Sequence, residues 1–160
     1  MNTERAIKIL CDNIYLLIKN VEWLQKSYNK ALKLNLNKEN LGEEDLEILE
    51  TLSNRFGRTV DILINKVLRS LDVVELEDIS RKLDIVIRAE KRGFVDDYRL
   101  LIALKDLKNE FAHEYIQENL IKKFKEIIEQ TPFLMDVVEK VYPYVNIKKY
   151  CEQNDKVIKY

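Results

Sequence analysis

From Thr3 to about Leu34 the apolar positions fall at Ile7, Leu10, Ile14, Leu17, Val21, Leu24, Tyr28 and Ala31. They alternate three and four apart, as a helix burying one stripe requires. Ile18 and Trp23 widen the stripe beyond a two-stranded seam, so the pattern predicts a bundle helix rather than a coiled coil. Asn35 to Gly42 reads as a polar connection. A second helix is expected from about Glu43 to Leu71, with Leu49, Leu52, Phe56, Val60, Leu63 and Val67 inward. Gly57 interrupts it. A glycine inside a helix costs about 1 kcal/mol relative to alanine, which a close helix crossing or a bend would explain.

A shorter helix is expected over Leu76 to Arg92, capped by Asp78, with Ile79, Leu83, Val86 and Ile87 inward. Gly93 suits the left-handed position that ends it, behind the cations Lys91 and Arg92. Asp96 is the expected cap of the next helix, whose buried row is Leu100, Leu104, Leu107 and Phe111. Unbroken helix from Asp97 to Gln130 would run 34 residues, so a break is placed at Glu114 to Glu118. Beyond it Ile116, Leu120, Phe124 and Ile127 face the core. Thr131-Pro132 predicts the cap and first turn of a last helix over Phe133 to Tyr142, closed by Pro143. The result is an all-α, single-domain antiparallel bundle of five to six helices over residues 1–145, with a polar tail over 146–160.

Composition narrows the function. One core fits 160 residues, and three glycines leave few turns for a many-stranded sheet. Lys plus Arg at 27 against Asp plus Glu at 28 removes a general electrostatic case for nucleic-acid or membrane binding, so any anion must be met locally. Six acids without a base between Glu39 and Glu50 suit a helix start. Cys11 and Cys151 match no metal or redox spacing, and as two thiols they point to a reducing compartment. With no long uncharged apolar run and no signal-peptide core, a soluble, cytoplasmic protein without membrane partner is expected. No phosphate loop or metal-ligand cluster is present in the sequence, so neither a metal nor a cofactor is expected.

The densest run of reactive side chains is Lys108-Asn109-Glu110-Phe111-Ala112-His113-Glu114-Tyr115, holding the only histidine. His113 is the side chain able to exchange protons near neutral pH, although a lone helical histidine more often packs or is simply solvated. On an ideal helix Lys108 and Tyr115 lie within about 20° of each other, whereas Lys108 and His113 diverge by about 140°. One straight helix therefore cannot aim both at one atom: either the helix breaks there or a second copy supplies the missing face. Asn109, four residues before His113, is placed to orient the imidazole.

These residues resemble the HEPN domains, in particular the HepT-like toxins paired with a minimal nucleotidyltransferase. That family's hallmark is Arg-Asn, three residues, His, one residue, Tyr. The likeness extends to Arg55-Phe56-Gly57-Arg58, Arg88-Ala89-Glu90-Lys91-Arg92-Gly93 and Leu104-Lys105-Asp106-Leu107, covering about Leu52 to Tyr115. The resemblance implies a HEPN-like homodimer whose two motifs share a cleft, acting as a metal-independent ribonuclease under a nucleotidyltransferase antitoxin. His113 would be the general acid or base, Lys108 the phosphate-neutralising cation and Asn109 the orienting amide. Tyr115 would bind substrate or receive AMP from the antitoxin. Lys105, Arg55 and Arg58 are further possible phosphate contacts. Lys108 stands where the family has arginine, keeping the charge but losing the two-pronged contact with phosphate. The alternative implied is a non-catalytic HEPN subunit that binds a nucleotidyltransferase or presents its substrate.

Overall fold

The computed structural model describes residues 2–37 and 41–151, and among them all regular structure is helical. Helix α1 spans Thr3–Ala31, capped by Asn2, whose side chain accepts the Arg5 N–H at 2.8 Å. Leu10, Ile14, Leu17, Leu24 and Ala31 of the expected row are buried. Trp23 departs from it. Its ring is 51% exposed, with the Lys26 ammonium 4.7 Å and the Arg55 guanidinium 5.0 Å from its centroid, so cations rather than core cover it.

Helix α2 spans Glu43–Asp61, and Glu43, Glu44 and Asp45 fill its first turn, where the acidic cluster was expected to oppose the dipole. The helix does not stop at Leu71. It passes into a π-helical segment, Ile62–Leu68, and then into α3, Arg69–Val74, forming one rod. The wider π turn buries Ile62, Leu63 and Ile64 in succession, because the segment packs against both α1 and the later helix α4. At its exit the Ser70 hydroxyl shares its proton between the Lys66 and Val67 carbonyls at 2.6 and 3.0 Å. Asn13 of α1 reaches the same Lys66 carbonyl at 3.4 Å.

Helix α4 spans Lys82–Lys91, six residues later than expected. Leu76 has a φ of 61° and a side chain 91% exposed, and a left-handed residue cannot open a right-handed helix. Asp78 is not its cap either, since its carboxylate accepts the Ser80 N–H at 2.8 Å and makes a turn. Ile85, Val86 and Ala89 face inward, while Leu83 points out. Gly93, at φ 84°, ends α4 as expected: the Phe94 N–H donates to the Ala89 carbonyl and the Gly93 N–H to the Glu90 carbonyl, both at 3.0 Å.

Helix α5 spans Tyr98–Ala112, and its cap is Asp97 rather than Asp96, accepting the Arg99 N–H at 2.9 Å. Leu101 is buried beside Leu104 and Leu107, and Leu100 is exposed. The chain breaks at 113–116, where a break was expected, and Ile116 stands 61% exposed just before the final helix instead of facing the core. Helix α6 runs without interruption over Gln117–Ile147. Thr131-Pro132 therefore starts no new helix, and Pro143 closes none. Phe124, Ile127, Leu134, Val137, Val138 and Val141 form one buried face across Pro132, enough to offset the lost hydrogen bond. The α2 rod contacts α1, α5 and α6 and so forms the centre of the bundle. Among the described residues no helix is long and apolar enough to cross a membrane.

Two features close the fold. Asp72, fully buried, accepts from Arg88 at 2.9 Å and from Arg92 at 2.6 Å, and Arg92 also binds Glu75. The Tyr144 and Tyr150 hydroxyls donate to Glu75 at 2.8 Å, tying α6 and the segment after it to the rod. Nearby, Cys11 and Cys151 are joined in a disulfide, with Cα atoms 5.7 Å apart. They are not two separate thiols, and the argument from them to a reducing compartment falls away. Of the polar tail expected from Asn146, residues 152–160 lie outside the described residues.

Burial and the Glu75 carboxylate push Tyr150 up to about 12. For Glu75, burial pushes upward, but the two phenols and Arg92 outweigh it and hold the carboxyl below its ordinary value. A phenol raised in the fold stabilises fully below its unfolded value near 10, and that contribution disappears as pH climbs toward about 12. The thermal midpoint of the wild type should fall over that interval more steeply than that of Tyr150→Phe, which has no such group to ionise.

Candidate functional site

Each resembling segment upstream of the motif has a structural role. Arg88 and Arg92 serve Asp72, Ala89 is fully buried, and the Glu90 carboxylate accepts the Tyr98 N–H at 3.2 Å, helping to start α5. Arg55 turns toward α1, donating to the Ser27 hydroxyl at 2.6 Å and the Trp23 carbonyl at 3.2 Å. Arg58 is exposed on α2, and Lys105 lines a cleft between α4 and α5.

Gly57 marks a close crossing. A Cβ placed there would lie 2.8 Å from Cγ of Lys108, so the lysine stem occupies the space that a side chain would need. One turn along α2, on the same face, the Asp61 carboxylate receives the Lys108 ammonium at 2.9 and 2.8 Å. Asp61 was not singled out from the sequence. Its position four residues after an interrupting glycine was the available signal.

The helix break places the rest of the motif. The His113 N–H bonds the Glu110 carbonyl at 3.3 Å as α5 ends, and its side chain is exposed. The Glu114 carboxylate accepts the Ile116 N–H at 2.9 Å and shapes the turn. Below, Phe111 and Phe124 pack with centroids 5.5 Å apart, and Lys123 of α6 pairs with Glu110 of α5. Tyr115 projects with 88% exposure. Among the described residues no hydrogen bond or ion pair links His113 to Lys108, Asn109 or Tyr115. Within one copy the histidine faces solvent while the lysine faces α2. Among the described residues no three His, Cys, Asp or Glu side chains form a group that could hold a metal ion.

Gly57→Ala separates packing from helix propensity. Alanine gains about 1 kcal/mol in a helix, whereas overpacking against Lys108 costs about 1–3 kcal/mol. Net destabilisation is expected. In a Lys108→Ala background, where Cγ is gone, the same substitution should become stabilising by about 1 kcal/mol, as read by urea denaturation of the four proteins.

Comparison with protein-family models, with curated proteins and with solved structures finds no match.

Proposed function

We propose that this chain is a HEPN-like, HepT-like toxin: a metal-independent RNA endonuclease that dimerises and is controlled by a nucleotidyltransferase antitoxin. The observation that carries the reading is the exposed His113 at the end of α5, five residues after a lysine lodged in a glycine-opened crossing. A twofold partner would set the His113 of one copy near the Lys108 face of the other, making the shared cleft that one helix cannot make alone. There the imidazole takes a proton from a ribose 2′-hydroxyl, and Lys108 neutralises the phosphate as it becomes pentacoordinate. Asn109, which makes no hydrogen bond to the ring within one copy, would orient it only in the assembled cleft, and Lys105 and Arg58 are further contacts for phosphate. The exposure of Tyr115 leaves its phenol open to substrate, or to attack on the α-phosphate of ATP, releasing pyrophosphate and leaving AMP on the oxygen.

One observation favours a second reading, a non-catalytic HEPN subunit that binds a nucleotidyltransferase. The Lys108 ammonium already has a carboxylate partner in Asp61, which an incoming phosphate must displace. The deciding assay incubates the purified chain with RNA in EDTA. Under the nuclease reading the wild type cleaves, Lys108→Arg cleaves at least as well, Asp61→Asn binds RNA more tightly and His113→Ala is inactive. Absence of cleavage, with stable co-purification of a co-expressed nucleotidyltransferase, supports the second reading. Absence of both removes the two together.

A further inference from the structure

Two clefts, of about 640 and 350 Å³, meet at Asn65, Arg69 and Ile79, which line both. The larger is floored by Ile64 of the π segment, Val86 of α4 and Leu101 and Ile102 of α5, with the half-exposed Leu83 at its edge. The smaller continues past Val73 to Ala6 and Ile9 of α1. Along the rod, Asn65, Lys66, Arg69 and Ser70 line the clefts between Ile64 and Val73, so the aliphatic floor is that of the larger cleft and the rod contributes mainly its polar and cationic wall. Four cations, Lys66, Arg69, Lys82 and Lys105, line the two clefts against one acid, Asp106, in a chain whose net charge is −1. Among the described residues none of these four side chains is engaged in an ion pair or hydrogen bond, whereas Lys108, Lys123, Arg55, Arg88 and Arg92 all are.

We infer that the larger cleft, with its cationic continuation into the smaller one, is a docking groove for an acidic amphipathic helix of a protein partner. Aliphatic floor under a cationic rim matches a helix with apolar residues at i, i+3, i+4 and i+7 and carboxylates on both flanks. Single-stranded RNA fits less well, because no aromatic side chain lines either cleft to stack a base. A second copy related by a twofold axis through the groove would set cations against cations. The chain's own acidic stretch is no occupant either. Leu49 and Leu52 are buried in their own core and Leu46 and Ile48 pack against it, so that stretch presents acids without an apolar stripe. The groove shares Lys105 with the proposed phosphate contacts, but Lys66, Arg69, Lys82 and its aliphatic floor with Leu83 at the edge take no part in the proposed cleavage, and the substitutions below fall only among those.

The test uses the full chain and two fluorescein-labelled synthetic helices of roughly five turns, sharing one leucine stripe and flanked by glutamates in one and lysines in the other. The glutamate helix should bind saturably by anisotropy, about tenfold tighter than its lysine twin. Leu83→Asp should weaken it about fivefold or more. Arg69→Glu with Lys82→Glu should reverse the preference, an outcome that loss of folding cannot produce. Equal binding of the two helices, binding of neither, or a preference unchanged by the reversal overturns the proposal. So does an oligouridylate of about 12 nucleotides that the same reversal abolishes and the glutamate helix does not displace.

Discussion

Asp72→Ala should cost about 3 kcal/mol of folding free energy, because it removes the carboxylate that two largely buried guanidinium groups share and leaves each with only its outer acceptors. The carboxylate is fully buried, and two guanidinium groups, 16% and 9% exposed, donate to its two oxygens. With it gone, Arg88 keeps Glu77 at 3.4 Å and the Asp78 carbonyl at 2.8 Å, and Arg92 keeps Glu75. Two cations then face each other across a vacated site with little water to screen them. Arg88→Met should cost less, since Asp72 retains Arg92 and the lost group lies nearer the surface. Urea denaturation of the two variants and their double mutant measures the coupling. A loss below about 1 kcal/mol for Asp72→Ala would show that the cluster relaxes or hydrates, and that it is not the fastening between rod and α4 described above.

Reduction of the disulfide should be the second large effect. Cys11 and Cys151 are separated by 140 positions, and in the chain-entropy account closing so long a loop is worth about 5 kcal/mol. Less should be lost in practice, about 2–4 kcal/mol, because Tyr144 and Tyr150 still tether the end of α6 to Glu75 after the sulfurs part. The denaturation midpoint with and without reductant, and that of Cys11→Ser, give the value. Tyr150→Phe combined with Cys11→Ser should exceed the sum of the two alone if the tethers substitute for each other. An unchanged midpoint after both thiols have titrated would count against any role for the link in stability.

What could be read beforehand follows from how local each cause is. The α1 row, the close approach at Gly57, the left-handed end at Gly93 and the break after the motif each depend on residues within a turn or two. Pro132 misled because a local signal, cap plus proline, was outweighed by one buried face shared by the two halves of α6. Period alone places Leu83 and Leu100 inward, but residues three and four before a buried position lie on nearly the same face, and packing buries Leu101 rather than Leu100. The π segment carries no residue signature that distinguishes Ile62–Leu68 from ordinary helix. The disulfide, the Asp72 cluster and the pairing of Lys108 with Asp61 join residues far apart in sequence, so no spacing rule reaches them. Of the candidate site, the sequence could say that one helix cannot converge Lys108 and His113. It could not say that a carboxylate would hold the lysine.

The covalent link between Cys11 and Cys151 also governs what a single cut in the backbone can do. Tyr115 stands almost wholly in solvent in a non-helical turn, the kind of place where chymotrypsin gains access. Cleavage there separates α1 through α5 from α6, but the sulfur bridge holds the two fragments as one species on a non-reducing gel. A reducing gel would resolve them, so the nick is invisible until the sample buffer contains thiol.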